Sequence, residues 1–183
     1  MSKQNVDLRD VTLSGRILDI GGGGEGIISR HAGDSVIAID IRKDELLESP
    51  DVGIKIVMDA TDLKFLDNTF DNVTCFYSLM FMSEETVEKC LAEAFRVLKP
   101  NGCLWIWDTE IPWPAQSDVF VVHLDIALAD EHISTGYGIG WGKGQSSESI
   151  SIICDKIGFG HIEMDDDGKK FLLRAWKAAS SKK

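Results

Sequence analysis

The sequence is poor in the residues that build metal sites and disulfide frameworks. Its 183 residues include four cysteines and four histidines, and no two cysteines stand in a Cys-x-x-Cys arrangement. Structural zinc sites usually draw on such pairs together with nearby histidines. We therefore expect no metal site, and we expect free cysteine thiols in a reducing compartment.

Cationic clusters and long apolar runs are also scarce. Lysine and arginine total 19 against 30 aspartate and glutamate residues, so the net charge is −11. Nucleic acids and anionic membranes are bound through clustered cations, so neither is expected as a partner. No apolar run approaches the roughly 20 residues of a membrane helix. The polar start, MSKQNVDLRD, lacks the apolar stretch of a secretory signal. These features favour a cytoplasmic protein.

The composition that remains is typical of one globular domain. Hydrophobic residues make up 44% and charged residues 27% of the chain. A chain of this length can bury a sizeable core without cross-links. We expect residues 1–183 to form a single domain.

Strand-like and helix-like segments alternate along the chain, which is typical of an α/β fold. Such alternation predicts a doubly wound, Rossmann-like, mostly parallel sheet with helices on both faces. Asp167-Gly168 is a turn signal and predicts a closing antiparallel hairpin. The expected strands are 15–20, 35–39, 52–58, 71–76, 103–108, 162–165 and 171–176.

The clearest helix signal begins after Ser83, which can cap a helix start. Pro100-Asn101-Gly102 ends the pattern. Apolar residues recur at helical spacing between these limits and define one buried face: Val87, Cys90, Leu91, Ala94, Phe95 and Leu98.

The region 111–145 interrupts the alternation of strands and helices. Phe120, Val122 and Leu124 alternate with Val121 and His123, and a glycine-rich stretch follows at 136–144. Alternation with a period of two is typical of a β-strand. We interpret this region as an extended insertion that forms a β-hairpin, and its apolar face could also support a strand-mediated homodimer.

Candidate binding residues follow three consecutive predicted strands. A glycine loop at 21–26 follows the first strand, Asp40 follows the second and Asp59 follows the third. Ligands of doubly wound sheets bind beyond the carboxyl ends of the strands. Glycines permit a sharp turn and close approach of a ligand to the backbone. A carboxylate such as Asp40 can accept hydrogen bonds from both hydroxyls of a ribose, and Asp59 could accept one from an adenine amino group.

The loop alone leaves the ligand open. Gly21, Gly23 and Gly26 fit the pattern G-x-G-x-x-G, so a nicotinamide or flavin dinucleotide is one candidate. Asp19, two residues before the loop, would repel a pyrophosphate but suits a ligand that carries an ammonium group. This favours a ligand that combines an ammonium group with an adenosine over a dinucleotide.

In these segments the chain resembles the class I S-adenosylmethionine-dependent methyltransferases, of the type 11 kind. The matching segments are ILDIGGGGEG at 17–26, VIAID at 36–40, MDATDLKFLDNTFD at 58–71 and RVLKPNG at 96–102. The resemblance covers roughly residues 15–110 and 146–176. It implies a seven-stranded sheet whose last strand is antiparallel.

The resemblance also implies a site for S-adenosylmethionine. Asp40 would bind the ribose hydroxyls, and Ile41 would pack on the adenine. Asp59 and Ala60 would recognise the adenine edge, and Phe76 would line the methionine side. The methionine end would be held by Asp19 together with Gly21, Gly22 and Gly23.

The acceptor side is less defined by the sequence. Many relatives place a histidine near the position of Met80, whereas the run 77–82 here is mostly apolar. No catalytic residue follows from the sequence, since methyl transfer needs a base only when the acceptor must lose a proton. The candidate acceptor-side residues are Tyr77, Met80, Asp108, Trp113, His123, Tyr137 and Trp141.

The expected function is therefore methyl transfer from S-adenosylmethionine to a small-molecule acceptor of unspecified identity. One alternative is an NAD-dependent oxidoreductase, which the glycine pattern permits. A second is a protein that binds S-adenosylmethionine without methyltransferase activity. A short N-terminal segment before the first predicted strand, and the missing histidine, motivate this second alternative.

Overall fold

A computed structural model of the protein describes residues 2–114, 118–140 and 142–179. Strands and helices alternate through most of this range. The strands are β1 (Ser2–Asp7), β2 (Ile17–Ile20), β3 (Val36–Asp40), β4 (Ile54–Val57), β5 (Phe70–Phe76), β6 (Leu98–Thr109), β7 (Val119–Ala127), β8 (His132–Gly140), β9 (His161–Asp166) and β10 (Lys170–Trp176). The helices are α1 (Ile27–Ala32), α2 (Lys43–Glu48), α3 (Glu84–Val97) and α4 (Ser147–Ile157).

Seven of the strands form one sheet in the order β4-β3-β2-β5-β6-β10-β9. The pairs from β4 to β6 are all parallel, whereas β10 runs antiparallel to both of its neighbours. The predicted Rossmann-like sheet with an antiparallel last strand is confirmed. Because β2, β3 and β4 are adjacent and parallel, the three segments that follow them meet at one edge of the sheet.

Helices cover both faces of the large sheet. The apolar face of α3 and the apolar residues of α4 pack on one face, where Leu91, Ala94 and Cys154 are completely buried. Helices α1 and α2 contribute Ile28 and Leu46 to a second apolar cluster. The end of α3 differs slightly from the prediction, because the chain passes directly into β6 at Leu98.

A second sheet has the order β1-β7-β8. Strands β7 and β8 form an antiparallel hairpin, and β1 pairs in parallel with β7. Strand β1 was not predicted, because its residues SKQNVD show no apolar alternation. It forms through backbone pairing with β7, and its side chain Val6 joins the second apolar cluster.

The apolar face of the hairpin is buried within the chain itself. Val122, Leu124 and Ile126 are at most 1% exposed and pack in the same cluster as Ile28 of α1. The expected homodimer rested on this face being available to a second copy. Intramolecular packing therefore removes that reason for a dimer through 111–145.

None of the helices in the described part of the chain is long and apolar enough to cross a membrane.

Candidate functional site

A cavity of about 590 Å³ lies at the carboxyl ends of β2, β3, β4 and β5. The glycine loop, residues 21–26, forms one wall, and the segment 76–78 after β5 forms another. Residues Gly136, Tyr137 and Gly138 of β8 also line the cavity. The small sheet therefore contributes directly to the site that the large sheet builds.

The glycine loop is held close to the end of β3. The backbone N–H groups of Gly21 and Gly22 both donate to the carbonyl oxygen of Ile39, at 2.8 and 3.0 Å. Gly21 has φ of 76°, and a Cβ there would lie 2.5 Å from the Cβ of Ser78. A Cβ on Gly23 would lie 2.5 Å from the Cβ of Glu45. The loop therefore has no room for a side chain at Gly21, Gly22 or Gly23, and a ligand can approach the backbone closely there.

Asp19 lies beneath the glycine loop with 2% of its surface exposed. Its Oδ1 accepts a hydrogen bond from the hydroxyl of Thr74 at 2.7 Å, and its Oδ2 lies 2.6 Å from the position of a Cβ on Gly22. Burial raises the pKa of the carboxyl to about 7, and the nearby charge of Asp40 acts in the same direction. Asp19 can therefore exchange a proton near neutral pH.

Asp40 and Asp59 stand at the ends of neighbouring strands. The backbone N–H of Met58 donates to the carbonyl oxygen of Asp40 at 3.0 Å, which brings the residue before Asp59 against the end of β3. Asp59 accepts hydrogen bonds from the backbone N–H and the hydroxyl of Thr61, and these hold the pKa of its carboxyl below its usual range. Both carboxylates line the cavity.

The other residues expected to contact the cofactor also line the cavity. Ala60 adjoins Asp59, and Phe76 lies at the end of β5 with 8% of its surface exposed. Ile41 is 69% exposed, which is unusual for an isoleucine. An exposed apolar side chain beside a cavity is suited to pack on a planar ligand.

Aromatic side chains from the segment after β5 and from β8 form another part of the cavity lining. The ring centroids of Tyr77 and Tyr137 are 6.4 Å apart, and those of Phe81 and Tyr137 are 6.1 Å apart. Tyr77 has a positive φ of 48°, which is uncommon outside glycine. Its hydroxyl donates to Oε1 of Gln4 at 2.7 Å, so the N-terminal strand fixes this ring.

Four of the expected acceptor-side residues lie away from this cavity. Met80 is 1% exposed in the second apolar cluster, and Asp108 is completely buried, where it accepts hydrogen bonds from the backbone N–H groups of Leu79 and Met80. Trp113 is 62% exposed beside a separate, smaller groove. His123 lies on the opposite face of β7 from the buried Val122 and Leu124.

The physical reason why these residues lie apart from the cavity is that position after a strand does not determine where a side chain points. Tyr77 and Tyr137 line the cavity, whereas Met80 and Asp108 point into the protein interior. The remaining candidate, Trp141, lies outside the described residues.

Several residues that line the cavity were missed by sequence reasoning. Glu25 is an example, since only the folded hairpin brings it to Thr135 and Tyr137. The only sequence signal for such lining residues is their proximity to a predicted strand end or to the glycine loop. Further examples are Glu45 and Arg42 of the α2 region and Ser78, Phe81, Met82, Ser83 and Thr86 after β5.

Acidic groups dominate the charge of the cavity lining. Among the described lining residues, Arg42 is the one lysine or arginine, and it is paired with Asp44 at 2.5 Å and Glu45 at 2.7 Å. Such a cavity favours a ligand with positive charge over a pyrophosphate. The carboxylates that line it are Asp19, Glu25, Asp40, Glu45 and Asp59.

Comparisons with known sequences identify the segment that builds this cavity. Residues 18–106 match the family model of a methyltransferase domain. A curated relative, a demethylmenaquinone methyltransferase of Renibacterium salmoninarum, is 38% identical over 114 residues. The match covers 58% of this chain and 46% of that protein, so the chain spans about half the length of this relative.

Solved structures share the fold at low sequence identity. A methyltransferase dependent on S-adenosylmethionine from Methanosarcina mazei superposes with a TM-score of 0.65 at 19% identity, covering 92% of this chain and 95% of that one. A [4+2]-cyclase superposes with a TM-score of 0.66 at 17% identity, covering 94% and 77%. Proteins with different named reactions therefore share this architecture.

Proposed function

We propose that the chain is a class I S-adenosylmethionine-dependent methyltransferase, which binds S-adenosylmethionine in the larger cavity and methylates a small-molecule acceptor; the match of residues 18–106 to the family model of a methyltransferase domain supports this. The observation that carries this proposal is the meeting of Asp19, Asp40 and Asp59 around one glycine loop. Asp19 lies in β2 one residue before its end, Asp40 ends β3 and Asp59 follows β4, and these three strands are adjacent and parallel. This arrangement offers acceptors for an ammonium group, a ribose and an adenine edge.

The residues present fit this cofactor. The crowded positions of Gly21 and Gly23 leave backbone rather than side chains along one wall, as an extended ligand requires. Asp40 and Asp59 line the cavity, where Asp40 would accept hydrogen bonds from the ribose hydroxyls and Asp59 from the adenine amino group. Ile41 is exposed beside them and offers an apolar surface for the base. The acidic lining is compatible with the positive charge of a sulfonium.

The cofactor supplies a methyl group on an activated sulfonium, and the chain's own task is to align an acceptor with it. Alignment alone can account for a large share of the rate in such a displacement. Phe76, Tyr77 and Tyr137 form a largely apolar wall that excludes water from this space. In this role the aromatic residues orient the acceptor, and a carboxylate of the lining receives a proton when the acceptor must lose one.

The proposed acceptor is a small organic molecule with a planar ring. The aromatic wall and the cavity volume of about 590 Å³ support this size and chemistry. The name of the relative from Renibacterium salmoninarum points to a quinone acceptor in that protein. Since that match covers less than half of the relative, the acceptor of this chain is proposed at the level of chemical class alone.

A second candidate function is binding of S-adenosylmethionine without methyl transfer. Two observations favour it: no described residue that lines the cavity is a histidine or a cysteine, and the structure resembles a [4+2]-cyclase. The two candidates share the cofactor site and differ in whether labelled methyl appears on any acceptor.

Calorimetric titration of S-adenosylhomocysteine and of NAD tests the proposed site. We expect S-adenosylhomocysteine to bind and NAD to give no heat. Asp40→Ala removes the hydrogen bonds to the ribose and should weaken S-adenosylhomocysteine by about 1–3 kcal/mol. Asp34→Ala is the matched control, because Asp34 is exposed near the opposite end of β3.

Binding of NAD instead, or equal affinity of the folded Asp40→Ala variant and the wild type, would contradict the proposed site. Incubation with S-adenosylmethionine carrying a labelled methyl group and a panel of phenols, quinols and amines then separates the two candidate functions. Transfer to an acceptor supports the methyltransferase, and cofactor binding without transfer supports the second candidate.

A further inference from the structure

We propose that Glu25 is a positioning residue that holds β8 over the cavity, so that the cofactor can exchange only when this contact opens. The inference rests on the proposed function, because it concerns the same cavity. The inference goes beyond the proposed function by assigning a role to a residue of the glycine loop and to the hairpin of β7 and β8.

Glu25 connects the glycine loop to the hairpin through both of its carboxylate oxygens. Oε1 accepts a hydrogen bond from the hydroxyl of Thr135, and Oε2 accepts one from the hydroxyl of Tyr137 at 2.8 Å. Thr135 and Tyr137 are two residues apart on β8 and therefore project from the same face of the strand. A single carboxylate thus binds two successive inward-facing residues.

This contact fixes an element that closes the cavity. Tyr137 packs against Tyr77 and Phe81, and the cavity lining includes its neighbours Gly136 and Gly138. Glu25 itself belongs to the loop that forms the opposite wall. The same side chain therefore joins the wall that is proposed to hold the cofactor to the strand that covers it.

A second contact joins helix α1 to the turn of the hairpin. The Arg30 guanidinium donates to the carbonyl oxygen of Glu25 at 2.7 Å and pairs with Glu131 at 3.1 Å. Glu131 lies between β7 and β8. Arg30 therefore supports the backbone at Glu25 while it anchors the hairpin turn.

The attachment of β8 makes this contact decisive. In the described chain β8 is an edge strand whose ladder partner is β7 alone. The residues between its inward-facing positions, such as Ser134 and Gly138, are exposed. Strand β7 is anchored by its fully buried apolar face, whereas β8 is held by its pairing with β7, by the partly buried side chains Ile133, Tyr137 and Ile139, and by the hydrogen bonds to Glu25. Loss of Glu25 should therefore release β8 more than β7.

Hydrogen exchange without any nucleoside tests the positioning role first. In Glu25→Ala the backbone amides of 132–140 should exchange about fivefold to tenfold faster than in the wild type, because two hydrogen bonds to a charged group are lost. Glu25→Gln, which keeps one carbonyl oxygen as acceptor, should be intermediate. The control Glu48→Ala removes the same charge from an exposed site on α2 and should change nothing.

Exchange that is unchanged in a Glu25→Ala variant with the wild-type unfolding temperature would overturn the positioning role. Faster exchange throughout the protein, together with a lowered unfolding temperature, would equally overturn it in favour of a general structural role.

Stopped-flow binding of S-adenosylhomocysteine tests whether Glu25 limits how fast the ligand enters and leaves the cavity. Glu25→Ala should raise both the association and the dissociation rate about fivefold, so that Kd changes less than either rate. Tyr137→Phe keeps the ring and should raise both rates less. The double variant should be no faster than Glu25→Ala alone, because both changes break the same contact.

Equal rates in the wild type and Glu25→Ala, or additive effects in the double variant, would refute the claim that Glu25 limits the rates of ligand association and dissociation. Failure of the wild type to bind S-adenosylhomocysteine would refute the proposed function and, with it, the role of Glu25 in ligand exchange. The hydrogen-exchange result decides the positioning role in either case.

Discussion

Asp19 shows how one buried carboxyl couples the site to the stability of the fold. Burial raises the pKa of Asp19 to about 7, although the hydroxyl of Thr74 opposes this shift. In an unfolded chain an aspartate titrates near pH 4. Between about pH 4 and 7 the folded protein therefore holds a proton at Asp19 that the unfolded chain has lost, so stability falls as the pH rises through this window.

Asp19→Asn should remove this contribution, because an amide keeps the oxygen that accepts from Thr74 but does not ionise. We expect the free energy of unfolding of the wild type to fall relative to that of Asp19→Asn between pH 4.5 and 7.5, by on the order of 3 kcal/mol. Urea denaturation of both proteins at the two pH values measures the difference. A constant difference across this range would contradict the assigned ionisation.

At the residue scale, the sequence identified the cavity lining better on the cofactor side than on the acceptor side. Asp40 and Asp59 could be found because each follows an apolar strand, and strand ends of a parallel sheet converge. Asp108 ends the predicted strand 103–108, yet its side chain is buried and accepts hydrogen bonds from the backbone N–H groups of Leu79 and Met80. Side-chain direction beyond the strand end depends on tertiary packing, which the sequence pattern does not contain.

At the scale of elements, β1 is the strand whose role was hidden in the sequence. Its Gln4 is 3% exposed and donates to the hydroxyl oxygen of Thr109 and the carbonyl oxygen of Lys169, at 2.8 and 2.9 Å. It also accepts from the hydroxyl of Tyr77. One side chain of the small sheet thus connects to three points around the carboxyl ends of the large sheet.

Gln4→Leu should destabilise the protein by about 2–3 kcal/mol, because it leaves the buried hydroxyl of Tyr77 without this acceptor. Tyr77→Phe should cost less in the Gln4→Leu background than in the wild type, since the hydroxyl is then no longer paired with Gln4. Urea unfolding of the four proteins measures the coupling. Asn5→Leu, at an exposed neighbouring position, should stay within about 0.5 kcal/mol of the wild type.

Independent effects of the Gln4 and Tyr77 changes would contradict the role of β1 as an anchor for the site.

The hairpin of β7 and β8 was predicted because its apolar alternation is strong, as at Val122 and Leu124. Strand β1 was missed because its polar residues give no such signal and its pairing with β7 is made by backbone groups.

At the scale of the whole molecule, the alternation of strands and helices was sufficient to predict the doubly wound sheet. The position of the small sheet was not predictable, because it depends on contacts between segments that are distant in sequence. Glu25 and Tyr137 illustrate this, as their contact forms only when the hairpin folds back over the glycine loop. The cavity thus combines the strand ends and glycine loop, which the sequence predicts, with an aromatic wall that only the folded chain defines.

The most direct test of the account is a crystal structure of the protein with S-adenosylhomocysteine. We expect the ribose hydroxyls within hydrogen-bond distance of Asp40, the adenine edge at Asp59 and Ala60, and the amino group on the side of Asp19. Density for the nucleoside elsewhere on the protein, or in the cavity without contact to these carboxylates, would contradict the proposed site at Asp19, Asp40 and Asp59.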